Sequence, residues 1–307
     1  MNFYITKTRT TCFILFLLLV VTFTACVRKA GRSEAVTPYD TIQIQITEPA
    51  PQNIIPDIGK ITPIVRLEIP KTEAGDIIVG HTGFSLLYNE DHEQACWVAY
   101  ELTREKAAKV YDRTDKFIPD PKVTTITANN KDYAGTGFDR GHLAPASDMG
   151  WSAEAMAESF YYSNMSPQVP GFNRGIWKKL EERVRSWAVE NEAIRIVTGP
   201  VLTSGLSTIG TNMVSVPQYF YKVILDYHEP EIKGIGFIFP NAKLNQPLHH
   251  FAVSIDSVEN FTGIDFFPAL PDDHEGIIEK TICIPCWSWG KEDPAAVREV
   301  SSTTGGD

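Results

Sequence analysis

The sequence has no excess of positive charge: 28 Lys and Arg stand against 38 Asp and Glu in 307 residues, a formal net charge of −10. Bulk charge of that sign repels nucleic acid, so any such partner must meet a local basic surface. The bias of a disordered chain is missing too, since 43% of residues are apolar and only 21% are charged. No internal repeat and no second linker interrupts residues 64–290, which read as one domain of mixed helix and strand. Cysteine is scarce, and the mature body would hold three besides Cys26: Cys96, Cys283 and Cys286. They allow one disulfide and a spare thiol, whereas zinc would need more ligands than lie nearby. Cys283-Ile-Pro-Cys286 has the spacing of a redox motif but lacks the helical pattern expected after one, leaving thiol–disulfide exchange as a competing activity.

The apolar run Cys12–Phe23 falls short of the roughly 20 residues that cross a bilayer as a helix. With Lys7 and Arg9 before it and Thr24-Ala25-Cys26 after it, the run predicts an export signal over residues 1–25. Phe23-Thr24-Ala25-Cys26 resembles a bacterial lipobox. It predicts a lipid anchor at Cys26 and a membrane lipoprotein exported from a bacterial cell to the periplasm or cell surface, with an unlipidated signal peptide as the alternative. Prolines 38, 49, 51, 56 and 63 make residues 26–63 a tether, and residues 291–307, ending in SSTTGGD, read as a flexible tail.

Short β-branched and aromatic runs predict strands at 85–88, 96–102, 194–198, 218–225, 235–239 and 251–255. A helix is expected over 152–161, with Ser152 as N-cap. A second, over 174–189, places Trp177, Leu180, Val184 and Trp187 on one stripe and leaves Lys178, Lys179, Arg183 and Arg185 off it.

The chemistry concentrates in GTGFDRGHLAPASDMG, residues 135–150, where His142 follows Arg140 and glycines 135, 137 and 141 permit tight turns. Ser163-Asn164-Met165-Ser166-Pro167-Gln168 follows as a turn, and then Asn173-Arg174-Gly175-Ile176-Trp177-Lys178-Lys179-Leu180-Glu181 opens the charged helix. These three motifs, DRGH, SN-x-x-PQ and N-x-G-x-W-x-x-LE, resemble the DNA/RNA non-specific endonuclease family of ββα-metal nucleases. A looser likeness extends over roughly residues 85–270 and includes the stretch around Arg113. The resemblance implies an α+β fold: a central, mainly antiparallel sheet flanked by helices, with the metal-site helix packed on the catalytic hairpin.

It also implies roles. Hydrolysis of a phosphodiester needs a base for water, matched charge on the phosphorane and a stabilised leaving oxygen. His142 fits the general base, against the ordinary reading of a core or surface histidine. The family pattern makes Asn173 the ligand of one Mg²⁺, with Mn²⁺ as a substitute; by sequence alone it would be a helix N-cap. Glu181, eight residues on, would lie about 12 Å and 80° away on a continuous helix, and the pattern has it grip metal-bound water. Its ordinary reading is a surface glutamate paired with Arg185. Arg140 and Arg113 would neutralise phosphate oxygens, as would Arg185 on its exposed-looking helix. Asp139 would orient its neighbours. Asn164 would order the site or touch phosphate, unless it is only a turn residue.

Local charge agrees with a DNA or RNA substrate, at +2 over residues 104–140 and +3 over 173–185, against −9 over 226–307. Tyr161, Tyr162 and Phe172 are candidates for base stacking or for the core. The expectation is a sequence-non-specific endonuclease that leaves 5′-phosphate ends. The alternative is a catalytically silent lipoprotein of the same fold that binds nucleic acid or another exported partner.

Overall fold

The computed structural model describes residues 63–290, all within the compact unit Ile46–Asp307. The expected export signal, lipid anchor, most of the tether and the tail lie outside the described residues.

Eleven strands are described: β1 (Ile78–Gly80), β2 (Ser85–Asn89), β3 (Gln94–Thr103), β4 (Asp139–His142), β5 (Met165–Gln168), β6 (Ala193–Pro200), β7 (Thr208–Ile209), β8 (Val214–Ser215), β9 (Tyr219–Asp226), β10 (Lys233–Pro240) and β11 (Ala252–Val253). Helices α1 (Arg104–Ala107), α2 (Asn130–Tyr133), α3 (Ala153–Glu158), α4 (Lys178–Glu190), α5 (Ile255–Thr262) and α6 (Asp272–Ile278) lie between and after them. Seven strands form one sheet in the order β1-β2-β3-β6-β9-β10-β11, every neighbouring pair antiparallel. With helices on both faces, this is the expected α+β architecture.

Both faces of the central strands are buried, so those strands read as nearly continuous apolar runs. Alternation still assigns each side chain to a layer. On one side Tyr100, Ile196, Ile224 and Phe237 pack beneath Trp177, Leu180, Val184 and Trp187 of α4 and the turn before it. On the other, Trp97, Val197, Val223 and Leu225 meet Ile255 and Val258 of α5 and Ile278 of α6.

β4 and β5 form their own antiparallel pair, with Asp139 opposite Gln168 and His142 opposite Met165. The expected turn at SN-x-x-PQ is therefore mostly strand. Two polar anchors fasten β5 to the sheet: Ser166 Oγ donates to Gln94 Oε1 at 2.6 Å, and Asn241 accepts from Val169 N while donating to the carbonyls of Pro167 and Pro217. Gly141 lies in β4 rather than in a turn, and a Cβ there would stand 2.1 Å from the side chain of buried Gln168. Gly141→Ala is thus expected to cost about 1–3 kcal/mol by overpacking; a thermal melt equal to wild type would show that Gln168 yields without cost.

Two expected elements end differently. The strand at 251–255 shrinks to β11, because the Ser254 hydroxyl accepts from Ser257 N and starts α5, which Gly263 closes at φ +75°. The expected helix over 174–189 is not continuous: Phe172–Trp177 forms a wider, π-type turn broken at Gly175 (φ −102°, ψ −111°), and regular α-helix begins only at Lys178. The 12 Å, 80° offset between Asn173 and Glu181 therefore does not apply. Cys283 and Cys286 are joined as a disulfide across a 3₁₀ turn, and Cys96 is free.

Candidate active site

The strand pair and the broken helix meet through three contacts on β4. Trp177 Nε1 donates to the His142 carbonyl at 3.3 Å, Asn173 Nδ2 donates to Asp139 Oδ2 at 2.9 Å, and Arg174 bonds both oxygens of Asp139 at 2.8 and 2.6 Å. His142 and the carboxylate that orients Asn173 are thus three residues apart on one strand, about 10 Å of backbone. The Arg174 and Asn173 hydrogen bonds hold the Asp139 carboxyl below its usual range against the opposing effect of partial burial. With the Asn173 nitrogen committed to Asp139, no donor among the described residues reaches its Oδ1, leaving a neutral oxygen for a hard cation. It is not an N-cap: the turn begins at Phe172 with Gly171 before it and no side-chain cap.

His142 is 8% exposed, and its Nε2 has no hydrogen-bond partner. Phe160 lies edge-on at 4.9 Å and Phe117 at 5.8 Å between ring centroids. Each of these rings also carries a guanidinium on its face, Arg113 at 4.9 Å over Phe160 and Arg140 at 4.3 Å over Phe117. Burial, then the charges of Arg113 and Arg140, push the imidazole down to about 3, so it is neutral at pH 7. Arg140 Nη1 is steadied by Asn130 Oδ1 at 2.7 Å, which also accepts from Tyr162 OH. Arg113 pairs with Asp115 and remains half exposed.

Glu181 is half-buried, and burial raises its carboxyl well above the ordinary carboxylate range, opposed by Lys222, Arg185 and Arg113. The same Arg113 therefore acts on both His142 and Glu181, and Arg140 on both His142 and Asp139. Arg113, Arg140, His142 and Asn173 are linked through the two phenylalanine rings and the β4 strand, whereas Glu181 is tied to them only through the charge of Arg113. Arg185 departs from its expected surface setting: it is partly buried and bonds Asp148 Oδ1 at 2.8 Å, while Tyr100 OH takes Oδ2. Asn164 also differs, being fully buried and spent on backbone: it accepts from Ala144 N and donates to the carbonyls of Ala144 and Ser159. That bonding closes the loop after His142 and leaves no amide atom to reach phosphate. Tyr162 and Phe172 are core, not stacking platforms.

Sequence reasoning missed Lys222. Fully buried on β9 between Phe220 and Ile224, it lies 4.7 Å over Trp177, and its Nζ has no hydrogen-bond partner. Burial lowers its pKa, while Glu181 and Asp148 favour the charged form. A lysine inside the apolar run Tyr219–Asp226 was the available signal.

A model of the DNA/RNA non-specific endonuclease family matches residues 67–273. The chain is 36% identical over 207 residues to the mitochondrial nuclease EXOG of Danio rerio, covering 62% of this chain and 60% of that relative. It is 37% identical over 202 residues to the mitochondrial endonuclease G of Homo sapiens, covering 61% and 68%. The crystal structure of an EndoG/EndoGI complex aligns with TM-score 0.61 and 32% identity over 64% of this chain and 87% of that one. Both sequence relatives are mitochondrial by name. This overturns the expectation of a lipoprotein exported from a bacterial cell. The family match covers most of the described residues and all three motifs, and the chain belongs to the DNA/RNA non-specific endonuclease family, whose members are metal-dependent nucleases.

Proposed function

We propose that this chain is a sequence-non-specific endonuclease that hydrolyses phosphodiester bonds of DNA and RNA with His142 as general base and one Mg²⁺, leaving 5′-phosphate ends. The observation that carries the reading is the neutral, unpartnered imidazole of His142, walled by two phenylalanines and flanked by the guanidinium groups of Arg113 and Arg140. Such a ring takes a proton from attacking water without first losing one. Its low affinity for protons in the free protein rises once phosphate neutralises the two arginines.

The other residues act on charge and position. Arg113 and Arg140 meet the non-bridging oxygens, whose negative charge grows toward the phosphorane. Asn173 Oδ1 fits a hard divalent cation, because the amide is turned by Asp139 and its oxygen is unclaimed. The ion supplies Lewis-acid stabilisation of the phosphate and leaving oxygen, and Mn²⁺ meets the same donor requirement. Glu181 orders water around that centre as a carboxylate, and Asn164 holds the loop after the base.

Activity then falls as Glu181 is protonated at low pH. Lys222, the leading charge that opposes this, acts with Arg185 and Arg113 and against Asp148. Lys222→Met removes the cation without leaving a void, so the acid limb of the rate profile is expected to move up by about 1–3 pH units, with activity recovered in alkali. An unmoved limb would separate Glu181 from the chemistry.

The reading as a whole is tested on circular DNA and on RNA, with Mg²⁺ and then with chelator. Nicked and linear products bearing 5′-phosphates, formed only with metal, are expected, and their rate should fall with salt as phosphate contacts are screened. No cleavage with any divalent ion would leave a binding protein.

A further inference from the structure

A second group of acids lies on the far side of the sheet from His142. Asp256 and Glu259 share one face of α5 at i, i+3, and Glu279 follows the last turn of α6. One carboxylate oxygen from each lies within 4.8 Å of the others. Acidic clusters on surfaces are common, but this one contains an anomaly. Glu279 is only 6% exposed, and its Oε1 is buried without a hydrogen-bond partner. The backbone around it is fixed: Asp256 N donates to the Glu279 carbonyl at 3.0 Å, and Glu279 N to that of Glu275. Glu259 spends Oε1 on Phe266 N at 2.7 Å, which also fixes its direction.

Three converging carboxylates, one of them buried and unsatisfied, are costly without a counter-charge. Asp265 and Glu275 add to the repulsion. Lys71 is paired with Asp265 at 3.0 Å, and exposed Lys280, next to Glu279 in the chain, makes no ion pair with the three carboxylates. Three carboxylate oxygens that all lie within 4.8 Å of one another can share one ion with bonds of about 2.4 Å, the Ca²⁺ distance, and an all-oxygen donor set of carboxylates suits that hard cation.

We infer that Asp256, Glu259 and Glu279 form a calcium-binding site that clamps α5 to α6, separate from the cation at Asn173. Both helices pack through Ile255, Val258 and Ile278 on the sheet face opposite α4, so the ion acts on stability rather than on the scissile phosphate.

The full chain, stripped with chelator, is titrated with calcium chloride and followed by radioactive calcium binding and by thermal melting. An Asn173→Ala background removes the catalytic cation from the count. One calcium per chain and a melting temperature that rises with calcium are expected. Glu259→Gln, which keeps an acceptor for Phe266 N, is expected to weaken binding at least about tenfold, since even supporting contacts of metal ligands are worth about 10–100-fold. Asp256→Asn, half-buried in the first turn of α5, should act in the same direction and serves if Glu259→Gln folds poorly. Calcium binding and melting shifts unchanged in both variants would overturn the assignment. So would a cluster that binds no calcium and is stabilised only by acid, in which case protons alone quiet the repulsion.

Discussion

Replacing His142 by alanine is expected to slow phosphodiester cleavage at least about 10²-fold, the lower end of what a positioned general base contributes. The loss should fall on the chemical step and not on substrate binding, because Arg113 and Arg140, the proposed phosphate contacts, are held by Phe160, Phe117 and Asn130 rather than by the imidazole. Stability should change little: the ring loses edge contacts with two phenylalanines, but a buried nitrogen without a partner goes with it. Single-turnover cleavage and a thermal melt separate these effects. Wild-type turnover in His142→Ala would remove the base from the mechanism.

Asn173→Ala is expected to abolish cleavage at ordinary Mg²⁺ concentrations, with more than about 10² of the loss in metal affinity, beyond what supporting contacts of metal ligands usually carry. The fold should survive, since Arg174 alone still grips both oxygens of Asp139 and Trp177 still ties the helix to the His142 carbonyl. The measurement is the Mg²⁺ dependence of the rate in both proteins. An unchanged half-saturating concentration would place the ligand elsewhere.

Much of the scaffold was legible in the sequence because burial on both faces writes long apolar strands and a helix stripe writes its own period. The central strands and the inward set Trp177, Leu180, Val184 and Trp187 are of this kind. The strand pair that carries His142 was not. Asp139–His142 and Met165–Gln168 are four residues each, carry Gly141 and Pro167, and become strands through anchors from Gln94 and Asn241 far along the chain. The break at Gly175 likewise leaves no trace in the helical period, since Trp177 and Leu180 keep their stripe on the far side of it. Of the site residues, those inside the three motifs could be named. Their supports, Asn130, Asp148 and Lys222, come from separate elements and are united only by folding.

The double-mutant cycle on His142 and Asn173 tests the central claim most directly. If the base and the amide-held cation act on one phosphate, the double alanine variant should be scarcely slower than the slower single variant, because members of one catalytic unit are strongly non-additive. Losses that multiply, with the double variant slower by the product of the two single effects, would mean that the residues act independently and would contradict a shared site.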